Sequence, residues 1–267
     1  MPDKICAYCK LPEILTREHL WPAALHRRLM DANQQSESAF WLSRLQKDIP
    51  NEPQIRDVCA QCNNGVLSGL DSYICTLFDL SFAHLPVFNE RILFEFDYHL
   101  LKRWLLKMSF NSARIHKSND LFAIEALLPY ILGEDLRLGG SARLYVQLSH
   151  PQEVPTTELS EQDVAQKRFI FKPTGHRAGH LFFRVPGVGQ KLLRHVHLRA
   201  FGFFIAFFKP GERPHVIADF EQFFLEPRHG ITLLNTSDTK VQLVCNGVGA
   251  WESFRASRSN KIVAQQF

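Results

Sequence analysis

Two Cys-x-x-Cys turns, Cys6-Ala7-Tyr8-Cys9 and Cys59-Ala60-Gln61-Cys62, constrain this chain more than any other feature of its sequence. A pair of such turns can offer four thiolates to one tetrahedral Zn²⁺. To do so they must meet in space, so the segment between them has to fold back on itself. The first residues, Met1 to Cys6, reach a cysteine before any apolar signal-like stretch can form, which points to the cytoplasm. Thiols stay reduced there, and a metal is the better account of four paired cysteines than disulfides. Cys75 and Cys245 stand in apolar surroundings and read as core thiols.

The chain has 267 residues, 45% of them hydrophobic, enough for one sizeable core or two smaller ones. No apolar run approaches the roughly 18–20 residues that cross a bilayer, so no membrane contact is expected. The formal net charge is +4, and the surplus lies beyond residue 72, because the first segment is close to balanced. A mild positive charge of this size permits nucleic acid as a partner without requiring it.

Between the cysteine pairs runs Leu15-Thr16-Arg17-Glu18-His19-Leu20-Trp21-Pro22, and directly after the second pair come Asn63-Asn64-Gly65. The ordered combination C-x-x-C, Glu-His-x-x-Pro, C-x-x-C-Asn resembles the zinc-containing branch of the HNH nucleases over residues 6–75. The resemblance implies a ββα-metal unit in which two strands carry the catalytic loop and a helix starts near the second cysteine pair. In it Zn²⁺, held by Cys6, Cys9, Cys59 and Cys62, is structural, a staple for a unit with little core of its own. His19 is then the general base, since an imidazole accepts a proton near neutral pH. Glu18 and Asn63 are the expected oxygen ligands of a catalytic Mg²⁺ or Mn²⁺, completed by water and substrate phosphate.

The family's middle Asn, which braces the loop, has two candidates here, Asn51 and Gln54. The gap from His19 to Cys59 exceeds that of the compact motif, and residues 22–45 read as an inserted helical excursion. Val66, Leu67, Leu70, Tyr73, Ile74, Leu77 and Phe78 repeat at helical spacing, with Asp71 expected on the surface.

A proline-containing stretch at residues 84–90 suggests a boundary, giving an N-terminal unit over 1–83 and a larger domain over 84–267. The second opens with a strong amphipathic helix over Tyr98–His116. Leu101, Trp104, Leu105 and Met108 define its apolar face, and Arg103, Lys107, Asn111 and Arg114 form a stripe able to follow phosphates. A second helix is expected over Leu121–Leu132. From Ser141 the pattern changes to alternation over residues 144–148 and 195–200, with further strand-like runs at 168–172, 180–185, 201–209, 220–225, 231–234 and 241–245. His195 and His197, like His176 and His180, lack a third ligand and read as surface or core residues. The expected fold class is α+β: the zinc-stapled unit, then two helices on a mainly antiparallel sheet. The function expected is metal-dependent endonucleolytic cleavage of DNA, in a setting such as defence or restriction of foreign DNA, with the C-terminal domain engaging substrate, a protein partner or an activating ligand. The alternative is a non-catalytic zinc module that binds nucleic acid or protein.

Overall fold

The computed structural model describes residues 4–34, 40–42, 47–49, 53–158, 169–185, 187–209 and 211–255; Asn51 lies outside them. The chain is mixed α and β and divides into two compact units. The first comprises residues 1–83, 96–142 and 236–239, and the second residues 84–95, 143–235 and 240–267. The chain thus leaves the first unit after residue 83, as the proline-containing stretch suggests, but re-enters it for 96–142. The amphipathic helix expected in the C-terminal domain therefore belongs to the first unit.

In the first unit, β1 (Leu15–His19) pairs antiparallel with β4 (Gln54–Cys59), bringing Leu15 opposite Cys59 and His19 opposite Gln54. Between them lie α1 (Ala23–Asn33) and a short pair, β2 (Phe40–Leu42) with β3 (Lys47–Ile49). The β1–β4 register slips between Thr16 and Glu18, so that Arg17 alone spans Arg56 and Asp57. Such a bulge re-aims side chains beside it. Beyond β4 a helical run begins at α2 (Ala60–Cys62) and continues through a wide, kinked turn over Asn63–Leu67 into α3 (Ser68–Leu77). Leu67, Leu70, Ile74, Leu77 and Phe78 are buried along it, as their spacing predicts.

The next long helix, α4 (Tyr98–His116), starts where the Asp97 side chain accepts from Leu100 N at 2.8 Å and ends at Lys117 in the left-handed region. Its apolar residues are buried as expected, but so are Lys102, Lys107, Asn111 and Ser112, so little of the helix is left as a polar surface. The helix expected over Leu121–Leu132 is instead two, α5 (Leu121–Glu125) and α6 (Leu128–Leu132). Pro129 explains the break, because a proline suits the first turn of a new helix and not the interior of an old one.

The second unit is built on a five-stranded sheet. Its strands are β6 (Ala142–Leu148), β9 (His176–Val185), β10 (Gly189–Leu198), β11 (Phe201–Phe207) and β12 (Ile231–Leu234), in the order β12-β6-β11-β10-β9. Adjacent pairs β9–β10, β10–β11 and β6–β12 are antiparallel. Separate antiparallel pairs join β5 (Arg91–Glu95) to β13 (Lys240–Val244) and β7 (Gln152–Glu153) to β8 (Ile170–Phe171). The strand expected over residues 220–225 is the end of a helix, α7 (Pro214–Phe224). Pro214 begins it, and Phe220 and Phe224, one turn apart, pack on Tyr145, Phe204 and Phe208. Each such aromatic buried contributes about 1.5–3 kcal/mol, which outweighs the weak strand preference of a short Phe-rich run. Cys75 and Cys245 are buried core thiols.

Candidate metal centre and the Glu18–His19 site

The β1–β4 pairing and the start of the following helical run bring both Cys-x-x-Cys turns together. One ligand atom from each of Cys6, Cys9, Cys59 and Cys62 lies within 4.8 Å of the others, and Cys9 Sγ stands 3.8 Å from Cys59 Sγ. Four sulfurs at about 2.3 Å from a tetrahedral zinc are themselves separated by about 3.8 Å, so the cluster fits that ion. Backbone amides already favour thiolate: Cys59 N donates to Cys6 Sγ at 3.3 Å, and Cys62 N donates to Cys59 Sγ at 3.4 Å. Burial pushes the Cys6 thiol up, but amides of Cys59, Cys9 and Tyr8 outweigh it and leave the group at about 7. Burial and its sulfur neighbours push Cys62 the other way. Divergent thiols crowded together in this manner are what a dication would reconcile.

At the far end of β1, His19 is half-buried and its Nε2 lies 3.2 Å from Gln54 Nε2, the residue opposite it in the register. Of the two candidates for bracing the loop, Gln54 touches the imidazole, and Asn51 falls outside the described residues. Bracing also comes from Asn63, whose Nδ2 donates to Thr16 Oγ1 and to Arg17 O, both at 3.0 Å. The residue expected as a cation ligand thus ties the start of the helical run to the backbone just before Glu18.

Glu18 does not face an open cation site. Its side chain is 4% exposed and its Oε1 lies 2.9 Å from Lys107 Nζ. Burial pushes its carboxyl upward, and Lys107 pulls it back. Lys107 also donates to Asp71 Oδ2 at 2.7 Å, and Trp104 Nε1 donates to Asp71 Oδ1 at 3.1 Å. Asp71 is therefore a partner of α4 and not the surface residue expected.

The residues expected to form a phosphate-tracking stripe on α4 make contacts within the first unit. Lys107 is fully buried. Arg114 pairs with Asp57 on β4 and lies over the rings of Tyr8 and Phe110 at 5.2 and 4.7 Å. Arg103 donates to Ile131 O at 3.0 Å and packs its guanidinium against Gly133. Asn111 accepts from Tyr8 Oη at 2.7 Å and reaches Leu20 O at 3.5 Å. Helical spacing places Lys107, Asn111 and Arg114 on one face, and that face is spent on the motif-bearing segment. Sequence periodicity marks a polar stripe but carries no sign of which acids lie opposite it, and those acids, Glu18, Asp57 and Asp71, are far away in the chain.

In the second unit, His195 and His197 are buried core residues with ring centroids 5.1 Å apart, consistent with the absence of a third ligand in sequence. The cysteine quartet is the one candidate metal cluster among the described residues, and no described helix is long and apolar enough to cross a membrane. Comparison with protein-family models, with curated proteins and with solved structures returns no match.

Proposed function

We propose that the first unit is a zinc-stapled, metal-dependent endonuclease site of the HNH kind, hydrolysing DNA phosphodiester bonds with His19 as general base. The observation that carries this reading is the placement of His19. It stands half-exposed at the end of a strand whose other end adjoins the cysteine quartet, held by Gln54 at 3.2 Å and by Asn63 through the preceding backbone. A half-turn of the Gln54 amide, whose oxygen and nitrogen exchange by rotation, lets its oxygen accept from Nε2–H and so orient the imidazole that serves as the base. Asn63 spends its amide N–H groups on bracing, so its Oδ1 is the protein atom offered to a hard cation. Mg²⁺ or Mn²⁺ there would neutralise charge on the phosphate and the leaving 3′ oxygen. Zinc, held by Cys6, Cys9, Cys59 and Cys62, fixes β1 against β4 and takes no part in the chemistry.

A second reading, a non-catalytic zinc module that binds nucleic acid or a protein, is favoured by one observation: the Glu18 carboxylate is turned inward onto Lys107. Nicking of supercoiled DNA in Mg²⁺ or Mn²⁺ by the purified chain separates the two. His19→Ala is expected to abolish cleavage, by about 10²–10⁴-fold, with zinc content and folding retained. Cleavage at the wild-type rate by His19→Ala would falsify the base assignment, and inactivity of the wild type with both metals would favour the module.

A further inference from the structure

We propose that Glu18 and Lys107 are positioning residues for His19, and that Glu18 is not a ligand of the catalytic cation. The inference rests on the reading of His19 as the base. Neighbouring residues of a strand point to opposite faces, so whatever draws Glu18 inward turns His19 outward. The draw is specific. Lys107, fully buried on α4, lies 2.9 Å from Glu18 Oε1 and 2.7 Å from Asp71 Oδ2. One ammonium thereby ties β1, α3 and α4 at a single point. Trp104 Nε1 on Asp71 fixes the third member, and the Trp104 ring meets Trp21, two residues past His19, at 6.1 Å.

The same geometry excludes a dication at this carboxylate. Mg²⁺ keeps several waters in an octahedral shell, and a side chain with 4% exposure leaves no room for them. A cation bound to Glu18 would also sit beside the Lys107 ammonium, 2.9 Å from Oε1, and be repelled by it. The register slip at Arg17 adds to the need for an anchor, because the strand loses regular ladder bonds just before Glu18. Asn63 holds the carbonyl on one side of the slip, and Lys107 holds the side chain on the other.

The test uses the full chain with Glu18→Gln, Lys107→Met, Lys107→Arg and the Glu18→Gln/Lys107→Met double variant, each checked for zinc content and thermal midpoint. Loss of positioning should lower kcat by about tenfold or more, as for other groups that orient a reacting residue. The Mg²⁺ concentration for half-maximal rate should stay within about twofold of wild type in Glu18→Gln. The double variant should be no worse than Lys107→Met, since the buried carboxylate left unpaired by the single change is gone. Lys107→Arg should recover part of the rate. A rise of about tenfold in the Mg²⁺ requirement of Glu18→Gln would overturn the proposal, as would independent, multiplicative losses in the double variant. Should Lys107→Met not fold, Glu18→Gln and the double variant carry the test. Should the wild type not cleave DNA, the nuclease reading fails by itself. Positioning is then judged from the His19 ring signal in ¹³C-histidine NMR: a shift in Glu18→Gln but not in the exposed control Lys10→Met supports it, and an unmoved signal ends it.

Discussion

Two clusters, one in each unit, hold buried cations in opposite ways, while Lys102 of the first unit donates to neutral oxygens. In the first, buried or half-buried cations of α4 meet carboxylates from distant segments: Lys107 with Glu18 and Asp71, Arg114 with Asp57. In the second, the Arg177 guanidinium donates to neutral partners, Ser253 O at 3.1 Å and Ser253 Oγ at 2.7 Å, and lies 3.3 Å from His197 Nδ1. Burial brings Arg177 down to about 10 and, with Arg177 and His195 nearby, drives His197 well below its usual range. Paired charges join distant segments of the first unit beside its apolar core, whereas a five-stranded sheet with an aromatic core can hold a neutral histidine without help from an acid. In the first cluster electrostatics takes part in assembly; in the second a buried cation is tolerated beside a core of apolar packing.

The largest expected effect that tests this contrast is metal removal. Stripping zinc with a chelator, or Cys59→Ser, should remove most hydrogen-exchange protection from residues 4–34, 53–83 and 96–142. The sheet of the second unit should remain protected. Structural zinc supplies about 10–16 kcal/mol in zinc-finger peptides, as much as the whole net stability of an ordinary domain. Equal loss of protection in both units would erase the distinction drawn here, and folded protein with almost no zinc on elemental analysis would remove its cause.

A smaller effect should appear with acid. The folded pKa of His197 is depressed, so the unfolded chain takes up this proton first as pH falls through about 6.5. The stability this neutral ring contributes is present above that pH and is lost below it, at up to about 1.4 kcal/mol per pH unit until the folded group titrates. His197→Gln should flatten that part of the pH dependence in denaturant titrations between pH 5 and about 6.5. An unchanged slope would mean that His197 is already charged in the folded unit.

The smallest effect belongs to an exposed pair. Lys10 and Glu125 lie 2.9 Å apart with side chains 49% and 39% exposed, so Lys10→Ala should change stability by no more than about 0.5 kcal/mol. A cost of several kcal/mol in a thermal melt would show that surface pairs, too, hold the first unit together.

Local signals in the sequence were legible where one segment contains all that matters. The cysteine quartet follows from two short spacings, α4 from its period, and β6, β10 and β11 from alternation. The aromatic residues of α7 were ambiguous because Phe220 and Phe224 suit a strand or a helix equally until something lies beneath them. Signals failed where meaning depends on a partner far along the chain. Lys107 and Arg114 look like solvated cations until Glu18, Asp71 and Asp57 are brought to them, and nothing in the Glu18-His19 dipeptide announces the Lys107 contact. The position of Asn63 after Cys62 does not announce the bracing contact that its Nδ2 makes with Thr16 and Arg17.

The discontinuity of the first unit bears on when its site can exist. A chain emerging from the N-terminus presents both Cys-x-x-Cys turns and the Glu18-His19 dipeptide well before α4 has been synthesised. Until it has, Glu18 and Asp57 lack their cations, and Tyr8 lacks the Asn111 acceptor it meets in the finished unit. A nascent chain, or a fragment ending at residue 83, therefore carries every letter of the motif without the helix that orders it. Order of synthesis itself withholds the assembled site until the chain has crossed into the second unit and come back.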